Sequence, residues 1–217
     1  MIDEGCDTNP ITDWGFPNAD FSQSGEQAII LEAVKGLPVG RFLDIGAGDG
    51  RTFSNTVALA SRGWQGVCVE PAAWAFAKLA DLYRENTSIQ CCQAIVTADQ
   101  SGLMTWLYSK DDHLSTVEPK EAQKWARQVP FQRLIAAAVS VDHLLDWFEG
   151  RFSVVSIDTE GRTNEIVKAY SRHPAWASVE VICFEREKER RAGALTLTGD
   201  FELIGETANN VIYGRKR

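Results

Sequence analysis

Asp44-Ile45-Gly46-Ala47-Gly48-Asp49-Gly50 extends an apolar run, Arg41-Phe42-Leu43-Asp44-Ile45, into a cluster of glycines. A short apolar run stopped by glycine reads as a strand buried on both faces, the form that strands take in parallel sheets. Glycine permits a sharp turn there and lets the backbone approach a ligand, because no Cβ intervenes. The loop is expected to lie directly between a strand and a helix, the context that any nucleotide-loop reading requires.

Working outward, the pattern alternates. A helix is expected over residues 52–62, a strand over 66–70, a helix over 72–84 and a strand over 89–95. Residues 102–108 read as a short extra strand and 119–127 as a short helix, with a polar loop through Asp111-Asp112-His113-Leu114-Ser115-Thr116 between them. The alternation resumes with a strand at 134–140, a helix at 142–148, a strand at 152–157, a helix at 163–172 and a strand at 179–184. Residues 201–204 and 210–213 read as strands of an antiparallel hairpin at the sheet edge. Upstream, Ser24 is expected to cap a helix whose apolar stripe is Ala28, Ile29, Leu31 and Val34. Such alternation implies an α/β fold with a mostly parallel sheet and helices on both faces. Residues 1–20, rich in Asp, Asn, Pro and Gly, read as an irregular lead-in, and 21–217 as a single domain.

Composition narrows the function. With 217 residues, 44% hydrophobic and 24% charged, the chain sits among soluble globular domains. Its formal charge of −8 argues against a nucleic-acid partner, which calls for a basic footprint. The five cysteines, Cys6, Cys68, Cys91, Cys92 and Cys183, are odd in number and match no zinc spacing. Most lie in strand-like runs, so they read as reduced core residues of a cytoplasmic protein. No apolar segment follows the acidic start Met1-Ile2-Asp3-Glu4, so no signal peptide is expected. The longest apolar run, residues 134–139, is far short of a membrane span.

A glycine loop alone is a weak signal, but Glu70 ends the next apolar strand. In such folds an acid at that position accepts hydrogen bonds from ribose hydroxyls. A nicotinamide enzyme wants G-x-G-x-x-G, with pyrophosphate on a helix N-terminus. This chain has G-x-G-x-G, with Asp44 two residues before the first glycine. A carboxylate there repels pyrophosphate and suits the cationic sulfonium and ammonium of S-adenosylmethionine. A methyl donor is therefore favoured, with a nicotinamide-dependent oxidoreductase as the competing enzyme. A catalytically silent S-adenosylmethionine-binding module is the competitor from another class.

The chain also resembles a known family. Ser22-Gln23-Ser24-Gly25-Glu26-Gln27, the 42–50 glycine segment and Thr52-Phe53-Ser54-Asn55-Thr56 resemble the opening of FkbM-type methyltransferases. Gly63-Trp64-Gln65-Gly66-Val67-Cys68-Val69-Glu70-Pro71, Ser156-Ile157-Asp158-Thr159-Glu160-Gly161 and Asn209-Asn210-Val211-Ile212-Tyr213 continue the likeness in order, so that it spans residues 21–213. The resemblance implies a Rossmann-like seven-stranded methyltransferase sheet, S-adenosylmethionine as donor and a hydroxyl acceptor on a sugar, glycan or secondary metabolite. The family often carries an acid two residues after the Gly161 position; here Thr163 stands there, with Glu165 nearby.

Together these readings give a donor pocket of Gln23, Asp44, Gly46, Ala47, Gly48, Glu70, Pro71, Ala94 and Asp158. Methyl transfer to a hydroxyl requires alignment of donor and acceptor and removal of the acceptor proton. Asp158 and Glu160, just past a strand end, are candidate bases, or ligands of a divalent cation such as Mg²⁺. Glu185 is a further candidate carboxylate for such an ion, or else a partner of Arg186 or Lys188. Alternatively Asp158 holds the donor amino group and Glu160 caps the next helix. His113, in the polar loop, is a third candidate base. His143 and His173 read as structural. The run Glu185-Arg186-Glu187-Lys188-Glu189-Arg190-Arg191 reads as solvated, or else as a contact for an anionic acceptor. Trp106 and Trp125 flank the acceptor-side loop, where core packing competes with stacking on a sugar.

Overall fold

The apolar run at 41–45 forms β1 (Arg41–Ile45), the centre of a seven-stranded sheet. A computed structural model describes residues 19–109, 115–186 and 195–217. β1 pairs in parallel with β2 (Gln65–Val69) on one side and with β7 (Val154–Ile157) on the other. β3 (Ile89–Cys92) lies beyond β2, and β8 (Val181–Glu185) beyond β7, all parallel. β10 (Asn210–Arg215) and β9 (Phe201–Glu206) complete the order β3-β2-β1-β7-β8-β10-β9 as an antiparallel hairpin at the edge. The expected mostly parallel sheet with its C-terminal hairpin is therefore present.

Period-two alternation in these strands builds two cores. Leu43, Ile45, Val67, Val69, Val155, Ile157, Ile182 and Phe184 face α5 (Val141–Trp147) and α6 (Thr163–Tyr170). Phe42, Cys68, Val154, Val181 and Cys183 face α1 (Glu26–Ala33), α2 (Val57–Ala60) and α3 (Ala73–Leu82). Helices thus cover both faces. The expected stripe on α1 is shifted: Ile30 and Val34 are buried, Ile29 and Leu31 are only partly so, and Ala28 is exposed. Glu26 and Gln27, in the first turn, are buried as well, which rotates the inward face by a residue.

Three expectations need correction. The helix expected at 52–62 is only the four-residue α2. Asp49 takes the amides of Arg51 and Thr52 into a local turn, and Ser54 Oγ accepts from Thr56 N and Val57 N. Short polar side chains that bond nearby amides in this way compete with helix formation. The strand expected at 89–95 breaks after Cys92, and β4 (Ile95–Thr97) joins a second sheet. The strand expected at 134–140 is the longer β6 (Phe131–Ser140), which leaves the main alternation. It pairs in parallel with β4 and antiparallel with β5 (Gly102–Ser109). This three-stranded sheet packs Ile95, Trp106 and Ala138 against Ala72 and Ala75 of the α3 region. α4 (Pro119–Trp125) follows β5 with proline in its first turn, a position where no amide is missed.

Among the described residues no helix is long and apolar enough to cross a membrane. Cys68 and Cys183 are buried and Cys91 and Cys92 half-buried, all as free thiols. Cys6 lies outside the described residues.

Candidate functional site

A cleft of about 670 Å³ opens where the C-terminal ends of β1, β2 and β7 meet. This is the point at which the strand order reverses around β1, the place where open α/β sheets bind ligands. Ile45, Gly46 and Gly48 line it from β1, Val69, Glu70 and Pro71 from β2, and Asp158, Thr159 and Glu160 from β7. Ala94, Ile95, Val96 and Trp106 close it from the second sheet.

The glycine turn does not run straight into a helix, as the sequence suggested, since α2 starts only at Val57. Its amides are engaged within the chain. Gly46 N and Ala47 N both donate to Val69 O, at 2.9 and 3.0 Å, and Gly50 N donates to Ala47 O at 2.9 Å. Gly48 N donates to Glu70 Oε2 at 2.9 Å. The other carboxylate oxygen, Glu70 Oε1, accepts from Ala72 N at 2.7 Å. Loop and acid are thus one hydrogen-bonded unit, although 22 residues separate Gly48 from Glu70.

Gly46 and Gly48 both adopt left-handed backbone, at φ 82° and 56°. They differ in surroundings. A Cβ on Gly46 would lie 1.7 Å from the carbonyl oxygen of Asp158, whereas one on Gly48 would meet nothing within 4 Å. The first glycine lets β1 and the chain leaving β7 touch. The second presents bare backbone to the open cleft.

The donor-pocket residues named from sequence separate into two groups. Gly46, Gly48, Glu70, Pro71, Ala94 and Asp158 line the cleft together. Gln23, Asp44 and Ala47 do not. Gln23 is exposed and accepts from Asn209 Nδ2 at 2.7 Å. Ala47 packs into the core beneath α1–α3. Asp44 shares the strand face of Phe42 and is buried there, with Oδ2 accepting from Thr56 Oγ1 at 2.6 Å. Of the candidate bases, Asp158 and Glu160 line the cleft, while His113 lies outside the described residues.

Burial pushes the Asp44 carboxyl up to about 6, with hydrogen bonds from Thr56 and Ser156 opposing and the charge of Asp158 adding to the rise. A raised carboxyl favours the folded state while protonated, and that advantage fades as pH climbs from about 4 toward 6. The span corresponds to about 3 kcal/mol at 1.36 kcal/mol per pKa unit. Chemical denaturation of wild type and Asp44→Asn between pH 4 and 7 should show wild type losing about that much stability relative to the variant. Parallel pH profiles would mean that the carboxyl is not desolvated.

The side of the cleft that follows β7 is held by cross-links between loops. Thr116 Oγ1 donates to the Glu160 carbonyl at 2.7 Å. Arg162 Nε and Nη2 both reach Glu118 Oε1 at 2.7 Å. Glu160 itself has φ 46°, a left-handed conformation unusual for a non-glycine residue. Sequence reasoning missed Arg162, Lys78, Asp49, Val117 and Val129 as lining residues. Asp49, inside the glycine segment, was the one legible from position; the others reach the cleft only through tertiary packing.

Among the described residues no group of three or more His, Cys, Asp or Glu side chains is placed to hold a metal ion. Glu185 accepts from Thr163 Oγ1 at 3.3 Å and is not among the residues that line the cleft. Arg186 pairs with Glu206 at 2.6 Å, and the charged residues 187–191 lie outside the described residues. His143 Nδ1 lies 2.8 Å from Ser101 Oγ and His173 Nε2 lies 3.3 Å from Asp146, both away from the cleft. Trp106 is 4% exposed and Trp125 is 39% exposed; only the first lines the cleft.

No family model matches the chain, and no curated protein sequence matches it. Solved structures do. The yhhF protein of Escherichia coli, described as a candidate methyltransferase, is 11% identical with a TM-score of 0.52, over 92% of this chain and 89% of that one. A protein of Haemophilus influenzae described as a candidate methylase is 13% identical with a TM-score of 0.49, over 90% of each chain. At such identity the likeness to the first is one of fold: the same Rossmann-like α/β sheet.

Proposed function

We propose that the chain is an S-adenosylmethionine-dependent methyltransferase that acts on a hydroxyl of a small molecule, whether a sugar, a glycan unit or a secondary metabolite. The observation that carries the reading is the unit of Gly48 and Glu70 at the switch point, with Asp158 on the opposite wall. Gly48 offers the open backbone a close-lying ligand needs, and the cleft volume falls within the range for small ligands. Asp49, Glu70, Asp158 and Glu160 make the lining anionic, which suits a cationic donor. The amides of Gly46, Ala47, Gly48 and Gly50 are already bonded within the chain, and no helix starts at the loop. A pyrophosphate would find neither of its usual partners there, which weighs against the nicotinamide reading.

When bound, S-adenosylmethionine supplies a methyl group on a cationic sulfur that an acceptor oxygen can displace in line. Glu70 would take the ribose hydroxyls, and Gly46, Gly48, Pro71 and Ala94 would surround the donor. Asp158 and Glu160 would meet the acceptor hydroxyl and take its proton. FkbM-type resemblance and the hydroxyl acceptor belong to this proposal.

Isothermal titration with S-adenosylhomocysteine and, separately, NADH tests it. S-adenosylhomocysteine should bind saturably and NADH should not. Glu70→Ala, checked for folding by thermal unfolding, should weaken S-adenosylhomocysteine by about 1–3 kcal/mol, the cost of leaving ribose hydroxyls unpaired. Unchanged affinity in that variant would remove Glu70 from the site, and tight NADH binding would replace the donor.

A further inference from the structure

The walls of the cleft say more about the acceptor than about the donor, and the following step rests on the methyltransferase reading. Ile95, Val96, Trp106, Val117 and Val129 give the cleft an apolar wall drawn from separate segments of the chain. Trp106 is almost wholly enclosed, with Tyr108 at a centroid distance of 5.6 Å, so its indole is a fixed face and not a mobile flap.

The hydroxyl groups beside this surface are engaged internally. Ser115 Oγ accepts from Ser109 N at 3.0 Å, and Thr116 Oγ1 donates to Glu160 O while accepting from Glu118 N. Thr159 Oγ1 lies 3.1 Å from Thr163 Oγ1. A glycan brought against this wall would surrender hydrogen bonds to water without gaining replacements at each of its hydroxyls.

Charge narrows the class again. The described lining carries the carboxylates Asp49, Glu70, Asp158 and Glu160 against the cations Lys78 and Arg162. Arg162 is held by Glu118, and Lys78 sits over the Trp74 ring at 5.1 Å. Even with the single net positive charge of the donor added, the described lining stays negative. A phosphorylated or carboxylated acceptor would enter against that field.

We propose that the acceptor is a compact phenol-like compound, a ring bearing a hydroxyl, that is neutral or positively charged. Its ring would lie against Trp106 and the aliphatic wall, and its hydroxyl would face Asp158 and Glu160. The anionic, nucleotide-linked sugars suggested by the charged run at 185–191 are disfavoured on the same grounds.

The test uses the full chain saturated with S-adenosylhomocysteine and titrated, by calorimetry or ligand-observed NMR, with p-cresol, tyramine, 4-hydroxyphenylacetate, methyl β-glucoside and UDP-glucose. The first three share a phenol ring and differ in charge. p-Cresol and tyramine should bind saturably, 4-hydroxyphenylacetate roughly tenfold more weakly than tyramine, and the two sugars not saturably. Glu160→Gln should shrink the gap between tyramine and 4-hydroxyphenylacetate. Tightest binding by the anionic phenol or by either sugar would overturn the proposal, as would a gap that Glu160→Gln leaves intact. If S-adenosylhomocysteine binds and no phenol does, the acceptor class is wrong and the methyltransferase reading stands. If S-adenosylhomocysteine itself does not bind, that reading fails, and the same series on the unliganded chain decides whether the phenol site exists.

Discussion

Gly46→Ala is expected to unfold or severely destabilise the protein, whereas Gly48→Ala should fold and lose its ligand. The two glycines stand in one turn, both at positive φ. A left-handed alanine costs about 1–2 kcal/mol wherever it is placed, so backbone conformation alone predicts similar effects. Surroundings separate them. The new methyl at position 46 would lie 1.7 Å from Asp158 O and 2.8 Å from its carbonyl carbon, both backbone atoms. Relief requires pushing the chain leaving β7 away from β1, and Asp158 N is tied to Ile45 O at 2.8 Å. Overpacking against backbone adds about 1–3 kcal/mol, giving about 2–5 kcal/mol in total. That is a large share of the stability of an ordinary domain. The methyl at position 48 meets nothing within 4 Å and projects where a ligand would approach. Urea unfolding and S-adenosylhomocysteine titration on both variants check the contrast. Equal stability of Gly46→Ala and wild type would mean that the β1–β7 approach is looser than described.

The same turn shows how much the sequence discloses. A strand ending in glycines, with an acid at the end of the next strand, was legible because buried parallel strands are uniformly apolar and interruptions stand out. The hydrogen bond from Gly48 N to Glu70 Oε2 joins the two signals that made the loop informative. Strand alternation also placed Asp44 on the face of Phe42, under α1–α3, so its side chain belongs to a buried network with Thr56 and Ser156. Charge complementarity with a sulfonium rested on Asp44 in the sequence, whereas the carboxylates on the cleft wall are others, such as Asp49 and Asp158.

The second sheet was less readable. The break after Cys92 carries no proline, and β6 looks like one more buried strand until its partners are known. Its pairing with β4 and β5 creates the wall that holds Trp106, and pairing between segments is a tertiary fact that local pattern does not encode. The short α2 was hidden for a different reason. Asp49 and Ser54 each have the option of capping or of sitting mid-helix, and here both bond amides that a longer helix would have used.

Replacing the carboxylates that follow β7 should produce the largest change in rate. Asp158 and Glu160 flank Thr159 on the cleft wall, but the backbone treats them differently. Asp158 continues the sheet through its amide. Glu160 is held at φ 46° next to Gly161 at φ 107°, and the bond from Thr116 Oγ1 to its carbonyl fixes that turn. A left-handed glutamate is a strained conformation that its surroundings must maintain, and such strain concentrates at functional sites. With an acceptor in hand, Glu160→Gln is expected to lower kcat by ~10²–10⁴-fold, the usual contribution of a positioned base. The Kd of S-adenosylhomocysteine should stay where it was. Asp158→Asn separates two roles for its carboxylate. A fall in kcat alone marks it as the proton acceptor, and a matching loss of donor affinity marks it as the partner of the donor ammonium. Full turnover in both variants would move proton removal out of this pair of carboxylates and leave alignment of the two substrates as what the cleft contributes.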